Sequence, residues 1–191
     1  MIEDLESPDD GDRWYAVWTR SRQEKAVSST LSGLGIRHYL PLKPELRIWS
    51  DRKQKIEVPL FSGYVFVRVN LFGECRLQVL RVPGVVSFVG NKAGPLPIPY
   101  RQIEDIRTVL ASGFKYSAQP CPKVGERVRV VRGALAGVEG TMVRTDSGSR
   151  LLVSIDMVRQ SLAVSVSVED IERVSLVTNS VLKDVQAVAM A

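Results

Sequence analysis

The sequence predicts an α+β protein of two small domains: an antiparallel sheet flanked by helices, then a small β-barrel. Three observations carry this prediction. Strand and helix periodicities interleave from Trp14 to about Gly113. A stretch rich in Ser, Gln and Pro with little periodicity runs from Phe114 to Pro122. Beyond it, short alternating runs sit between glycine turns, with no helical pattern until the last residues. The expected division is an acidic leader over residues 1–12, a first domain over 13–112, a linker over 113–122, a barrel over 123–175 and a tail over 176–191.

In the first domain, WYAVWT from Trp14 to Thr19 is rich in aromatic and β-branched residues and reads as a strand. Ser21 followed by Glu24 is a capping-box pattern, and Ala26, Val27, Leu31 and Leu34 then recur at helical spacing, so a helix is expected over 22–34. Arg37 to Leu42 is the next expected strand, followed by a basic hairpin with its tip at Ser50 to Gln54. In LFSGYVFVRVN, Tyr64, Phe66 and Arg68 fall on one face of a strand and Val65, Val67 and Val69 on the other. Gly73 to Leu80 has a short helical pattern, and Val85 to Val89 is a compact apolar run of strand type. Past Pro99, Ile103, Ile106, Val109 and Leu110 make the apolar stripe of a helix ending near Gly113. This order suggests helices covering one side of an antiparallel sheet.

In the second domain the clearest strands are Arg127 to Val131, Gly140 to Thr145, Leu151 to Asp156 and Ser161 to Val168. In the last, Leu162, Val164, Val166 and Val168 alternate with Ala and Ser, the mark of a strand with one buried face. A domain of about 50 residues with four or five such strands closes into a barrel, because an open sheet would leave sticky edges. Asn179 to Ala191 reads as a weak helix or a frayed tail.

Charge is unevenly placed. The net charge is +5, yet residues 1–12 hold six acids and no Lys or Arg. Residues 13–122 hold 17 Lys and Arg against 7 Asp and Glu, whereas residues 123–175 hold 8 against 7. The positive field therefore belongs to the first half, where it suits a neighbouring phosphate backbone or is simply a solvated basic face. The leader reads as a disordered, solubilising segment. No apolar run approaches the length of a membrane span and no signal peptide opens the chain, which predicts a cytoplasmic protein.

The parts needed for catalysis are missing. His38 is the only histidine and lies in IRHYLP with no nucleophile marked beside it. There is no GxxxxGK[ST] phosphate loop, and the glycines of GALAG, Gly133 to Gly137, lie between strands, where turns explain them. Cys75 and Cys121 have no metal-ligand spacing, and the acidic pairs Glu104-Asp105 and Glu169-Asp170 read as surface charges. A binding protein without cofactor, metal or catalytic residues is expected.

Several stretches together resemble the NusG family of transcription elongation and antitermination factors. They are WYAVWTRSRQEKAV, IRHYLP with the hairpin and PLFSGYVFVRV, GVVSFVG with the downstream IPYRQIEDI, and VGERVRVVRGALAGVEGTMVR, which is similar to a KOW motif. The match runs in order from about Trp14 to Val174. It implies a four-stranded first domain, the NGN domain, tethered to a five-stranded SH3-like barrel, the KOW domain. It implies that the first domain docks on the clamp helices of the largest RNA polymerase subunit through Trp18, Phe61, Tyr64, Phe66 and Phe88, with Trp18 and Tyr64 the best placed for the surface. Basic positions on the first helix, Arg20, Arg22 and Lys25, would face upstream or non-template DNA. Arg132, Leu135, Met157 and Arg159 would bind the barrel's partner, a ribosome or a termination factor. The resemblance implies a monomer that suppresses pausing and modulates termination. A ribosome-associated or RNA-binding KOW protein is the alternative reading.

Three departures from the family pattern stand out. The usual FPGY is FSGY at Phe61 to Tyr64, the segment Cys75 to Gln78 lacks a threonine-rich loop, and Leu135 replaces a common aromatic. The valines and poor helix formers of Ser161 to Val168 predict a permanent β-barrel rather than a helical hairpin.

Overall fold

A computed structural model describes residues 11–48, 53–121, 125–145 and 148–174. The expectations for the leader before Gly11, for the hairpin tip over 50–52 and for the tail after Val174 lie outside these residues.

The first domain is built on β1 (Arg13–Thr19), α1 (Glu24–Gly33), β2 (His38–Tyr39), β3 (Leu42–Ile48), β4 (Lys53–Pro59), β5 (Tyr64–Val69), α2 (Cys75–Arg81) and β6 (Val85–Phe88). A short hairpin of β7 (Gly90–Asn91) and β8 (Gly94–Pro95) then leads to α3 (Tyr100–Ala111). The sheet order is β2-β5-β1-β6, with β3 and β4 forming the separate hairpin that the prolines and basic residues predicted. β1 runs antiparallel to β5 in a register that sets Ala16 opposite Phe66 and Trp18 opposite Tyr64.

Helices cover both faces of this sheet, not one. Val17, Val65 and Val67 pack with Val27 and Leu31 of α1 and Val79 of α2. On the other face Trp14, Ala16 and Phe66 pack with Ile103, Ile106 and Val109 of α3. The reason is legible in β1, where Trp14, Tyr15, Ala16 and Val17 are all buried, so neither side of the strand can face water. The strand expected over Arg37 to Leu42 shrinks to two residues before Pro41.

The second domain comprises β10 (Glu126–Val130), β11 (Glu139–Thr145), β12 (Gly148–Ile155), β13 (Gln160–Ser165) and β14 (Ile171–Arg173). These five strands, in the order β14-β10-β11-β12-β13, make the SH3-like barrel around Val128, Val130, Leu151, Val153 and Leu162. The stretch read as a linker contributes a further strand, β9 (Tyr116–Pro120), which pairs antiparallel with β13 from Gln160↔Pro120 to Val164↔Tyr116. Its Ser- and Pro-rich composition hid an edge strand, where missing amide donors are tolerated. The predicted alternation in β13 also ends early, since Val168 is 56 % exposed in the turn after it.

α3 joins the two halves. Its buried residues belong to one hydrophobic cluster that runs from Trp14 and Phe66 to Val128, Leu151 and Leu162.

Candidate protein-docking site

The site is organised by the turn between β4 and β5. Gly63 has φ of +84°, a left-handed conformation that a β-carbon disfavours. Three hydrogen bonds fix the neighbourhood. The Gly63 amide donates to Glu24 Oε1 at 2.7 Å, the Thr19 amide donates to the Gly63 carbonyl at 2.8 Å, and the Tyr64 amide donates to the Phe61 carbonyl at 3.2 Å. Glu24 is 4 % exposed, so this carboxylate is a buried strut. It does not close the capping box expected from Ser21: the N-cap is Gln23, without a side-chain cap. The residue that cap chemistry marked is instead used across 39 positions of sequence to hold a turn.

Above this turn stand Trp18 and Tyr64, cross-strand partners on one face. Trp18 is 52 % exposed and Tyr64 half-buried. Both lie on the face that α3 covers, but α3 sits over the other end. The Arg107 guanidinium of α3 lies 5.4 Å from the Trp14 ring and 4.6 Å from that of Tyr39, and Trp14 is about 13 Å along β1 from Trp18. The outcome is an uncovered aromatic end on a rigid two-sided sheet.

The other three aromatics expected in this patch do not join its surface. Phe61 and Phe66 are fully buried, edge to face at 6.0 Å, and belong to the hydrophobic cluster against which Tyr64 packs. Phe88 packs edge to face on Tyr15 at 6.0 Å, on the α1 and α2 side, and lines a shallow cavity of about 350 Å³ with Arg76 and Leu80. Alternation explains the difference: Ser87, not Phe88, lies opposite Trp18.

Arg20, Arg22 and Lys25 are all exposed and follow directly from Trp18. Only Lys25 is on α1; Arg20 and Arg22 occupy the turn before it, where Arg22 has φ of +62° and the Arg20 amide donates to the Gly84 carbonyl at 2.8 Å. The basic positions thus border the aromatic end rather than line a helix face.

On the barrel, Arg132 and Arg159 are exposed, whereas Leu135 is buried and Met157 half-buried. Residues that the sequence reading missed meet them. Gln102 donates to Asp156 Oδ2 at 2.8 Å and accepts from the Asp156 amide at 3.3 Å. Arg101 donates to the Gly137 carbonyl and lies 3.4 Å from Glu139, which also pairs with Arg129 at 2.6 Å. Asp105 accepts from the Glu139 amide at 3.4 Å. Of the acidic pair read as surface charges, Glu104 is half-buried beside Arg107, but Asp105 is only 8 % exposed. Burial pushes the Asp105 carboxyl up to about 6 against the opposing pull of the Glu139 amide and Arg101. The missed signal was the i,i+4 spacing of Arg101 and Asp105 on a helix already known to be amphipathic.

His38 has both ring nitrogens engaged, by the Ile36 carbonyl and the Ser28 hydroxyl, each at 2.9 Å. Among the described residues no three His, Cys, Asp or Glu side chains are grouped as metal ligands, and no helix is long and apolar enough to cross a membrane.

Comparison with known proteins agrees with this architecture. Residues 12–107 match the family model described as transcription termination factor nusG. The chain is 30 % identical over 176 residues to the transcription termination/antitermination protein NusG of Vibrio vulnificus, covering 84 % of this chain and 95 % of the relative. It is 27 % identical to the protein of that name from Lactococcus lactis, over 83 % of this chain and 91 % of the relative. A solved structure titled for the domain interaction in Thermotoga maritima NusG matches 86 % of this chain and 98 % of its own, at 24 % identity and a TM-score of 0.50, and shares the fold. Sheet, barrel and sequence together place the chain in the NusG family of transcription factors.

Proposed function

We propose that this protein is a non-enzymatic, cytoplasmic, monomeric elongation factor whose first domain docks on RNA polymerase through Trp18 and Tyr64. The observation that carries the reading is the half-exposed Trp18, held beside Tyr64 on a sheet braced by Glu24 and Gly63. Large rings on a rigid support lose little entropy on binding and typically dominate an interface. A coiled pair of helices, such as the polymerase clamp helices, offers the apolar ridge that such a platform fits. Phe61 and Phe66 act from the core, by fixing the position of Tyr64. Arg20, Arg22 and Lys25 then lie beside the docked surface, where phosphate contacts from upstream or non-template DNA position the factor without reading sequence. A factor holding the polymerase in this way suppresses pausing and modulates termination, while the barrel recruits a further partner such as a ribosome or a termination factor. The test is a pause and termination assay with the cognate polymerase, comparing wild type with Tyr64→Ala. Loss of effect with the fold intact supports the docking face; an unchanged pause lifetime refutes it.

A further inference from the structure

α2 carries an apolar, cationic patch on the side of the sheet away from α3, Trp18 and Tyr64. Phe72, in the turn before the helix, is fully exposed, Leu77 is 54 % exposed, and Leu80 also faces water. Apolar surface gathered in this way marks an interaction site. Arg76 lies one turn from Leu80, and Leu77 one turn from Arg81, so each apolar residue has a guanidinium beside it. Arg76, Arg81 and Lys92 are exposed and make no ion pair among the described residues; Glu74 is the one acid at the edge of the patch. Arg76 and Leu80 also line, with Phe88 and Asn91, the cavity of about 350 Å³ beside β6. An apolar hollow with a cation at its rim suits an apolar side chain carried by an acidic peptide.

The chain's own leader matches this patch in charge, apolar content and reach. Residues 1–10 hold Glu3, Asp4, Glu6, Asp9 and Asp10 with no Lys or Arg, and Ile2 and Leu5 stand three apart among these acids. The leader joins the described body beside the patch: a β-carbon on Gly11 would lie 2.7 Å from the Asn70 side-chain nitrogen, and Asn70 Oδ1 accepts the Phe72 amide at 2.9 Å. From Gly11 back to Leu5 is about 20 Å of extended chain, whereas α2 is only about 10 Å long. We propose that the acidic leader is the ligand of this patch, with Ile2 and Leu5 placed against Leu77 and in the cavity beside Leu80, and the acids paired with Arg76 and Arg81. So short a tether gives the leader an effective concentration on the order of millimolar, so contacts that are weak one by one hold it in place. The docked leader shields the apolar surface of α2 from other chains and leaves Trp18 and Tyr64, on the opposite face, free.

The experiment records amide chemical shifts of the full chain at low ionic strength, where exposed charges are least screened. Wild type is compared with two double variants, Ile2→Ser with Leu5→Ser, and Arg76→Glu with Arg81→Glu. The leader substitutions are expected to shift amides over residues 76–80 and 87–91, far from them in sequence. The arginine substitutions are expected, reciprocally, to shift the amides of residues 2–6. Shifts from the leader variant that stay within residues 1–13, or that centre on α3 or the barrel, overturn the proposal. A leader unmoved by the arginine substitutions overturns it as well. If the arginine variant does not fold, the leader variant decides alone by the same outcomes.

Discussion

The Glu24 carboxylate accepts the Gly63 amide at 2.7 Å, tying the first turn of α1 to the turn that carries Phe61 and Tyr64. A buried acceptor with a defined partner is costly to remove. Glu24→Ala is expected to lower stability by about 1–3 kcal/mol, because the Gly63 amide loses its partner at a part-buried site, whereas Glu24→Gln, which keeps an oxygen, costs less. Thermal unfolding of the two variants checks the order.

Gly63→Ala tests the same turn from the other side. With φ of +84° a β-carbon is strained by about 1–2 kcal/mol, and it would lie 3.7 Å from the Trp18 indole nitrogen. The variant is expected to fold, to lose roughly that stability and to move the Trp18 fluorescence maximum. An unaltered spectrum would show that the turn does not set the ring's position.

Arg107 lies against two rings, Trp14 and Tyr39, and pairs with Glu104. Arg107→Lys keeps the charge but loses the flat guanidinium face, and is expected to destabilise by about 0.5–2 kcal/mol in urea unfolding. Burial, opposed by Arg107, pushes the Tyr39 hydroxyl up to about 12, so this tyrosine stays neutral throughout the measurement.

Asp105 makes stability depend on pH. The folded chain holds its proton up to about pH 6, against the ordinary value of 3.8, so the folded state binds more protons between those values. Stability contributed by this group therefore rises as pH falls through that window and is lost as pH rises through about 6. Asp105→Asn keeps an oxygen for the Glu139 amide and removes the buried charge. It is expected to be more stable than wild type at pH 8, by about 1–3 kcal/mol, with the difference shrinking toward pH 4. Melting curves of both proteins across that range decide the sign.

The elements easiest to read in the sequence were those whose burial alternates or repeats. β5 showed its two faces in YVFVRV, and α3 showed its apolar stripe and its start at Pro99. What could not be read depended on contacts between distant segments. The pattern Ser21 to Glu24 satisfies a capping rule, yet Glu24 serves Gly63, a choice set by tertiary packing. Phe61 and Phe66 were expected in the patch with Trp18 and Tyr64, the two rings judged best placed for the surface, and only the meeting of β5 with α3 and its cluster shows that the phenylalanines are covered. Asp105 looked like a surface acid because nothing local marks the barrel strand that buries it. β9 was hidden for a related reason: YSAQP becomes a strand only because β13 offers it an edge.

The most direct test of the docking face is equilibrium binding of the full chain to its cognate RNA polymerase, with Trp18→Ala and Tyr64→Ala measured beside wild type. Each substitution is expected to weaken binding by about 2 kcal/mol, roughly thirtyfold, while the circular-dichroism spectrum and melting temperature stay near wild type. Wild-type affinity in both variants would contradict the account.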